Sequence, residues 1–399
     1  MMARYQSVLR VPGCARVFAT ALLARLPQGM SSLAILLLVR DTTHSYPVAG
    51  VAVGGYALAC AAAVPTQGRL VDRFGRGAVL FPVAVLQALA LTALVAAAHD
   101  HVAAIGLVTL AVVAGAMQPA IAPSVRALLG EMLTDTAVRE TAYALESVIQ
   151  ELIWITGPLT VAAVITLVSP AGAVLVSAGV CVLGTTLFIT SPRVRGDVGA
   201  RSAAGRVRSA VGSPELRAML GPVAMMGAAI GLIDVGIPSL ALHAGSRAST
   251  GLLLALWSAG SLCGGLCYGG VSWRIPLPER YRWLLAAAVA SMMPLIFART
   301  IPEGMVASLL AGVTIAPVFS CQYALVGRSV TPGSETEAFT WVAAALMAGL
   351  SAGSALSGVL IGGIGVSAPF VAACAAMGVA ALAAVRVRTA ARVAAQTSS

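Results

Sequence analysis

The chain has 399 residues, of which 59% are hydrophobic and only 10% are charged, and its mean hydropathy is +0.92. Soluble domains carry about 25% charged residues, so this composition excludes a protein with an ordinary water-exposed surface. All 25 basic residues are Arg, and the formal net charge is +10. That charge suits a nucleic-acid partner unless the Arg residues lie beside a lipid bilayer.

Twelve long apolar segments follow one another along the chain. A helix needs about 20 mainly apolar residues to cross a bilayer, and Gly and Pro within such a run are tolerated in membrane helices. The segments are 17–39, 47–67, 78–98, 102–124, 141–168, 171–190, 216–242, 248–271, 281–299, 302–325, 336–362 and 366–386. We therefore predict an all-α integral membrane protein with twelve transmembrane helices.

The Arg residues are distributed unevenly between the two sides of the predicted membrane. With the N-terminus in the cytoplasm, every Arg is cytoplasmic except Arg25 in the first span and three outer residues, Arg40, Arg247 and Arg299. Short cytoplasmic loops carry an excess of basic residues, so we predict that both termini are cytoplasmic and that the chain spans the plasma (inner) membrane. The positive charge then needs no nucleic-acid partner.

The two halves of the chain repeat. Residues 127–130, Ala-Leu-Leu-Gly, recur as Ala-Leu-Val-Gly at 324–327, an offset of 197. Three further pairs follow offsets of 197 or 196, namely Gly115 and Gly312, Tyr143 and Phe339, and Gly157 and Gly353. Such self-similarity indicates two structural units in parallel, so we predict two pseudo-symmetric six-helix bundles.

This repeat sets the predicted domain organisation. The segments are a cytoplasmic N-terminal segment (1–16), an N-terminal six-helix bundle (17–190), a cytoplasmic linker (191–214), a C-terminal six-helix bundle (215–388) and a cytoplasmic tail (389–399).

A loop rich in Gly and Arg joins the second and third predicted spans. Residues 68–77 read Gly-Arg-Leu-Val-Asp-Arg-Phe-Gly-Arg-Gly. This resembles the loop signature of the major facilitator superfamily, Gly-x-Leu-x-Asp-Arg-x-Gly-Arg followed by a basic residue, and departs from it at Gly77. The resemblance covers essentially the whole chain. It implies the major facilitator fold and a secondary transporter.

In that family the loop Asp is a latch that holds the two halves together on the cytoplasmic side, which implies this role for Asp72. An Asp accepts hydrogen bonds from a helix N-terminus or from Arg, so we expect Asp72 to contact Arg126 and the start of the eleventh span. The equivalent loop of the second half, 269–274, has no acid, so we expect a one-sided latch. A solvated loop that serves only orientation is the alternative. The other motif residues are Gly68, Arg73, Gly75 and Arg76.

The fifth predicted span contains the step Gly157-Pro158. It resembles the core of a motif typical of drug/proton antiporters in the superfamily, which implies efflux. A Gly-Pro step permits close packing and bending of a helix, so a purely structural kink is the alternative. The sequence departs from the motif at 161–163, where Val and Ala replace glycines, and at Ala111, where an Arg is expected.

Four ionisable residues lie inside predicted spans: Arg25, Glu146, Glu151 and Asp234. Charges are costly in a bilayer and indicate a transport pathway or a coupling role. Arg25 and Glu151 lie at similar depths, so we predict that they form an ion pair, either static or released when Glu151 gains a proton. Glu146 lies nearer the cytoplasm and is a further coupling candidate. Asp234 has no opposite charge nearby in sequence and is a candidate for binding a proton or a cationic substrate.

Polar and aromatic side chains of the spans are candidates for lining a central cavity that accepts an apolar substrate, although each can equally serve helix packing. The candidates are Gln28, Gln118, Trp154, Gln322 and Tyr323. The seven Cys residues have no metal-ligand spacing, and no nucleotide motif follows a strand. We therefore expect no metal, no cofactor and no ATP-driven transport.

These observations favour a proton-coupled antiporter that exports a small amphipathic compound by alternating access. Its partners are the substrate, protons and the lipid bilayer, and we expect a monomer. An uptake symporter or facilitator for a small solute is the alternative, and a membrane-embedded enzyme or receptor is a remote one. An enzyme needs convergent reactive groups, whereas the four His residues fall in outer loops or span ends, at His44, His99, His101 and His243.

Overall fold

The computed structural model describes residues 2–100, 102–195, 210–244, 249–329 and 333–397. His101, Arg247, residues 196–209 of the predicted linker and the end of the predicted tail lie outside the described residues. The described chain has no strand and consists of α-helices with one short 3₁₀ turn at Ala210–Gly212. The helices are α1 (Met2–Arg10), α2 (Cys14–Thr43), α3 (Tyr46–Phe74), α4 (Arg76–His99), α5 (Ala104–Ala116), α6 (Ile121–Met132), α7 (Thr136–Leu167), α8 (Pro170–Ile189), α9 (Pro192–Arg195), α10 (Pro214–His243), α11 (Ser249–Gly269), α12 (Leu277–Phe297), α13 (Ile301–Gly312), α14 (Ile315–Arg328), α15 (Glu335–Gly363) and α16 (Ala368–Thr397).

Every predicted span has a helical counterpart. Within the described ranges, eleven helical segments are long and apolar enough to cross a membrane. The remaining predicted span, the ninth, corresponds to α12, whose first turns carry Glu279, Arg280 and Arg282 and are therefore more polar. The fourth and tenth spans are each broken into two helices, α5 with α6 and α13 with α14.

The break between α5 and α6 is held by one side chain of α3. The Gln67 amide nitrogen donates to the carbonyl oxygens of Ala116 and Gln118 at 3.1 and 3.0 Å, and its oxygen accepts from the Ala120 N–H at 3.0 Å. Gln67 thus pairs backbone groups that the break would leave unsatisfied in a membrane. The turn directs α6, and with it Arg126, toward α7.

The repeated glycines mark close helix contacts in both halves. A Cβ added at Gly115 would lie 2.1 Å from the Tyr56 carbonyl oxygen, and one at Gly312 would lie 2.0 Å from the Trp257 carbonyl oxygen. Only glycine permits such an approach. The repeat read from the sequence therefore corresponds to equivalent packing of α3 with α5 and of α11 with α13.

The halves meet through α3 with α15 and through α7 with α11 and α14. One end of the molecule carries α1, the Gly68–Arg76 loop and the first turns of α7 and α15. We call this end the Asp72 face, and the other end, near Asp100 and Arg299, the opposite face.

Candidate functional site

A cluster of buried charges lies in the first half of the molecule. Arg25 on α2 donates to Glu146 on α7, with Nη1 2.5 Å from Oε2, and Arg126 on α6 donates to the other carboxylate oxygen, with Nε 2.8 Å from Oε1. Both arginines also donate to the Gln150 side-chain oxygen. Arg25 is 1% exposed and Glu146 is fully buried. One carboxylate therefore holds two guanidinium groups, and this cluster carries one net positive charge.

The predicted Arg25–Glu151 ion pair is wrong, because Arg25 pairs with Glu146. The prediction matched the two residues by depth alone, whereas the direction of a side chain around the helix also decides its partner. Each residue turns an α-helix by about 100°, so Glu146 and Gln150 share one face whereas Glu151 is rotated about 140° from Glu146. Glu146, predicted to lie nearer the cytoplasm, is thus the buried centre of the cluster.

Glu151 instead points across to the second half. Its Oε1 accepts a hydrogen bond of 2.8 Å from Ser261 Oγ on α11, and Ser261 in turn accepts from the Ala316 N–H at 3.2 Å. Asp234 on α10 is exposed and lies close enough for its carboxylate to repel that of Glu151. Two carboxylates from opposite halves therefore lie within electrostatic range of each other.

A group of aromatic rings separates this region from the Asp72 face. The guanidinium carbon of Arg126 lies 3.9 Å from the centroid of the Tyr323 ring. Tyr323 also contacts Tyr143 and Phe339, at centroid distances of 6.4 and 6.3 Å. All three rings are almost fully buried, so together with Arg126 they close the path between the halves on this side.

The Asp72 latch contacts the start of α15, as the sequence predicted for the eleventh span. Asp72 Oδ1 accepts from the Thr336 N–H at 3.2 Å, and Oδ2 accepts from the Glu337 N–H at 2.7 Å. A carboxylate is favourable at a helix N-terminus, where backbone N–H groups are unpaired. The other predicted partner is wrong, because Arg126 is directed to Glu146.

The remaining motif residues support this contact. Arg69 pairs with Glu337 at 2.7 Å, and Arg76 pairs through both nitrogens with Glu131 in the same half. A Cβ at Gly68 would lie 2.5 Å from Thr340 Oγ1, so this glycine lets α3 approach α15. Gly75 has φ of +87°, which favours glycine. Arg73 is exposed, over the ring of Phe74.

A second latch contradicts the expectation of a one-sided one. Glu140, in the first turns of α7, pairs with Arg280 on α12 at 2.6 Å and with Arg328 on α14 at 3.1 Å. The loop 269–274 has no acid, but α7 supplies it from the first half. At the offset of 196 that relates Tyr143 to Phe339, Glu140 corresponds to Thr336, the neighbour of Glu337, so the repeat places an acid in the first turns of both α7 and α15.

The Gly157-Pro158 step lies where α7 crosses α2. A Cβ at Gly157 would lie 2.6 Å from the Gly29 carbonyl carbon, and its repeat equivalent Gly353 would place one 2.1 Å from the Ala228 carbonyl oxygen. The step thus gives direct backbone contact between two helices that carry the charge cluster.

The cavity candidates divide into accessible and buried residues. Trp154, 46% exposed, lies one turn beyond Glu151, and Gln28 is half-buried beside Gly29. Gln118 is buried inside the first half, where it accepts from Tyr56 and Gln87. Gln322 is fully buried and accepts from Tyr281. The Tyr323 ring lies against Arg126. Gln118, Gln322 and Tyr323 therefore do not line an accessible space in this conformation.

The contacts between the halves are concentrated on one side. The hydrogen bonds, ion pairs and ring contacts described above run from the Asp72 face to the Glu151–Ser261 bond. Beyond that bond, Trp154 and Asp234 have exposed side chains. The described polar and aromatic contacts between the halves thus lie toward the Asp72 face. In the described part of the chain, no group of three or more His, Cys, Asp or Glu residues could hold a metal ion.

Membrane-crossing helices in two repeated halves, joined at one face and carrying charges between them, define a carrier that exposes a central site to one side at a time. Residues 17–301 match the Major Facilitator Superfamily. The chain belongs to this superfamily and is a secondary transporter rather than an enzyme, which confirms the family and the fold class predicted from the sequence.

Individual relatives agree with this assignment. An uncharacterized MFS-type transporter of Bacillus subtilis (strain 168), YttB, is 36% identical over 110 residues, and the match spans only 28% of either chain. A bacterial homologue of the iron transporter ferroportin, in an outward-facing state, has a TM-score of 0.77 at 14% identity over 94% of this chain and 99% of that one. The human organic anion transporter MFSD10 has a TM-score of 0.68 at 15% identity over 93% and 98%. These structural similarities support the fold alone.

Proposed function

We propose that this transporter is a proton-coupled antiporter that exports a small amphipathic compound bearing one positive charge. The proposal depends on one observation, that Glu151 of the first half reaches Ser261 of the second and lies within electrostatic range of Asp234 there. A group that binds both carboxylates touches both halves. Its binding can therefore bias the rocking motion that changes access.

Charge balance supports a cationic substrate exchanged for one proton. Arg25, Arg126 and Glu146 leave one net positive charge in the core, and an uncompensated charge in a membrane interior is costly. With one of the two acids protonated, the core is neutral. With both acids ionised and one monovalent cation bound, it is neutral again, so the exchange avoids an uncompensated charge in either state.

The remaining features fit export from the cytoplasm. The Asp72 face is the cytoplasmic side in this proposal, with both termini cytoplasmic, in the plasma membrane. The organisation is then two bundles, 17–190 and 215–388, joined by the linker 191–214, in a monomer. The exposed ring of Trp154 offers an apolar surface to the body of the substrate, and the Gly157-Pro158 step resembles that of drug/proton antiporters.

Accumulation of a fluorescent lipophilic cation in proteoliposomes tests the proposal. An acidic lumen should drive accumulation by an antiporter, because protons leave as the cation enters. Glu151→Gln and Asp234→Asn should each abolish the dependence on the pH gradient, whereas Asp100→Asn, which removes an exposed acid at the opposite face, should not.

The alternative, an uptake symporter or facilitator, predicts different outcomes. A symporter would accumulate the cation only with an alkaline lumen, and a facilitator would equilibrate it regardless of pH. Either result would exclude antiport. Full pH-driven transport by Glu151→Gln would separately exclude a proton-carrying role for that residue.

A further inference from the structure

A crevice lies between the two halves at the Asp72 face, on the side away from the Asp72 latch. Its volume is about 260 Å³, and its walls come from α7 of the first half and from the end of α11 with the following loop in the second. Helix α1 borders it through Arg4, whose Nη1 donates to the Val271 carbonyl oxygen at 2.6 Å. The principal lining residues are Arg4, Thr136, Glu140, Tyr268, Ser272 and Trp273.

Positive charge predominates around this crevice. Glu140 is the acid among its lining residues, and this carboxylate is already engaged by Arg280 and Arg328. Arg4 lies in the wall, and the Asp135 carboxylate accepts from the N–H of the lining residue Ala137 at 2.7 Å. The three guanidinium groups of Arg4, Arg280 and Arg328 therefore outnumber the two carboxylates. The immediate surroundings therefore favour an anion.

Arg280 is an unusual member of this group. It is 2% exposed, and its guanidinium lies 5.5 and 5.6 Å from the ring centroids of Tyr268 and Trp273, which line the crevice. Its Nε and Nη1 atoms have no hydrogen-bond partner. Arg280 therefore acts on the crevice through its charge, whereas Arg4 is the guanidinium group that lines it, and guanidinium groups match the oxygen geometry of phosphate. The hydroxyl groups of Thr136 and Ser272 add donors at the rim.

We propose that this crevice binds an anionic phosphate group, from a phospholipid headgroup or from free phosphate. Arg4 provides the direct charge, the hydroxyl groups of Thr136 and Ser272 donate hydrogen bonds, and Arg280 supplies positive potential behind the aromatic wall. Because the site is built from both halves, it exists only while the Asp72 face is closed. A bound phosphate group therefore stabilises this conformation and slows opening of the Asp72 face.

Thermal unfolding of the purified full chain tests the site without a transport measurement. The protein is reconstituted in nanodiscs of phosphatidylcholine alone or with phosphatidylglycerol, and separately titrated with inorganic phosphate in detergent. We expect one of these ligands to raise the midpoint of unfolding by at least about 2 °C. Arg4→Ala should lose that rise. Arg10→Ala is the matched control, because it removes an exposed Arg from the same helix.

The outcomes distinguish a lipid headgroup from free phosphate as the ligand, and both from general attraction to a basic face. A rise that depends on Arg4 only in phosphatidylglycerol assigns a lipid headgroup, and one with inorganic phosphate assigns the free anion. Equal losses in Arg4→Ala and Arg10→Ala would indicate general attraction to a basic face and overturn the site, as would no rise with either ligand. If Arg4→Ala does not fold, Ser272→Glu, which places a carboxylate at an exposed lining position, should abolish the same rise.

Discussion

Arg126 and Tyr323 occupy equivalent positions of the two repeats, at an offset of 197, and they stack directly on each other with the guanidinium carbon 3.9 Å from the ring centroid. Tyr143 and Phe339, another repeat pair, are also in contact, with centroids 6.2 Å apart. The pseudo-twofold axis therefore passes through this ring group. At its centre the symmetry is broken, because one half supplies a cation and the other an aromatic face.

We expect the aromatic face of Tyr323 to stabilise the closed contact between the halves through its cation–π contact with Arg126. A desolvated cation–π contact is worth about 2 kcal/mol. Tyr323→Leu should therefore lower the free energy of unfolding of the closed state by about this amount, whereas Tyr323→Phe should retain most of it. Thermal unfolding of the two variants checks this, and equal losses would show that the hydroxyl group, not the ring, is responsible.

Glu146 is expected to be the most sensitive member of the charge cluster. Removing one partner of a buried ion pair costs about 3–5 kcal/mol, and Glu146→Gln leaves two buried arginines without a carboxylate. Arg25→Gln should be milder, because Glu146 keeps Arg126. Thermal unfolding of the two single variants and the double variant forms a cycle, in which the double variant should be more stable than Glu146→Gln alone.

The two latches should act together. Charge-assisted hydrogen bonds contribute about 1.5–3 kcal/mol, so Asp72→Asn and Glu140→Gln should each populate states with an open Asp72 face, and the double variant should do so more strongly. Spin labels at the exposed residues Phe74 and Arg274 report the separation of the halves. Labelling requires replacing the native cysteines, since Cys263 and Cys267 are exposed. An unchanged distance distribution in Glu140→Gln would contradict the second latch.

Gly157→Ala is expected to push α7 away from α2. The added Cβ would meet backbone, which cannot move aside as a side chain can. We expect a lower thermal midpoint and reduced transport. Gly179→Ala is the matched control, since a Cβ there meets nothing within 4 Å. Similar behaviour of the two variants would mean that the close approach is unimportant.

The raised pKa of Tyr5 predicts a loss of protein stability that occurs only at alkaline pH. Its hydroxyl donates to the Leu266 carbonyl oxygen at 2.8 Å, and burial raises its pKa from 10.0 to about 12. The folded state thus holds this proton more tightly than the unfolded state. The stabilisation is complete below pH 10 and declines between pH 10 and about 12. Tyr5→Phe should remove this part of the pH dependence, as measured by thermal unfolding across that range.

The sequence was sufficient for the fold because lipid imposes simple rules. Apolar length defines each span, and the repeated glycines mark backbone contacts that recur in both halves. The Asp72 loop was recognisable because its residues are contiguous. Glu140 and its partners Arg280 and Arg328 are far apart in the chain, and the sequence signal for this latch was the acid that the repeat places in the first turns of both α7 and α15.

The charge cluster was harder to predict than the helices. Arg25, Glu146, Glu151 and Asp234 lie on helices long and apolar enough to cross a membrane, but the pairing of such residues depends on helix rotation and, here, on a third partner. Arg126 reaches Glu146 because α5 and α6 are separated by a break that Gln67 stabilises. A continuous helix assumed from hydropathy alone gives no such turn.

The charges of Arg25, Arg126 and Glu146 are confined to the first half, and this has an electrical consequence. When the water-filled space changes sides, the drop in membrane potential moves from one side of this cluster to the other. One elementary charge crossing 100 mV corresponds to about 2.3 kcal/mol, so voltage acts on the empty protein when Glu151 and Asp234 are both protonated and leave the charge of the cluster uncompensated. At a pH low enough to protonate both acids, we expect a voltage step across a bilayer containing the transporter to produce a transient displacement current without substrate, and Arg25→Gln to reduce it.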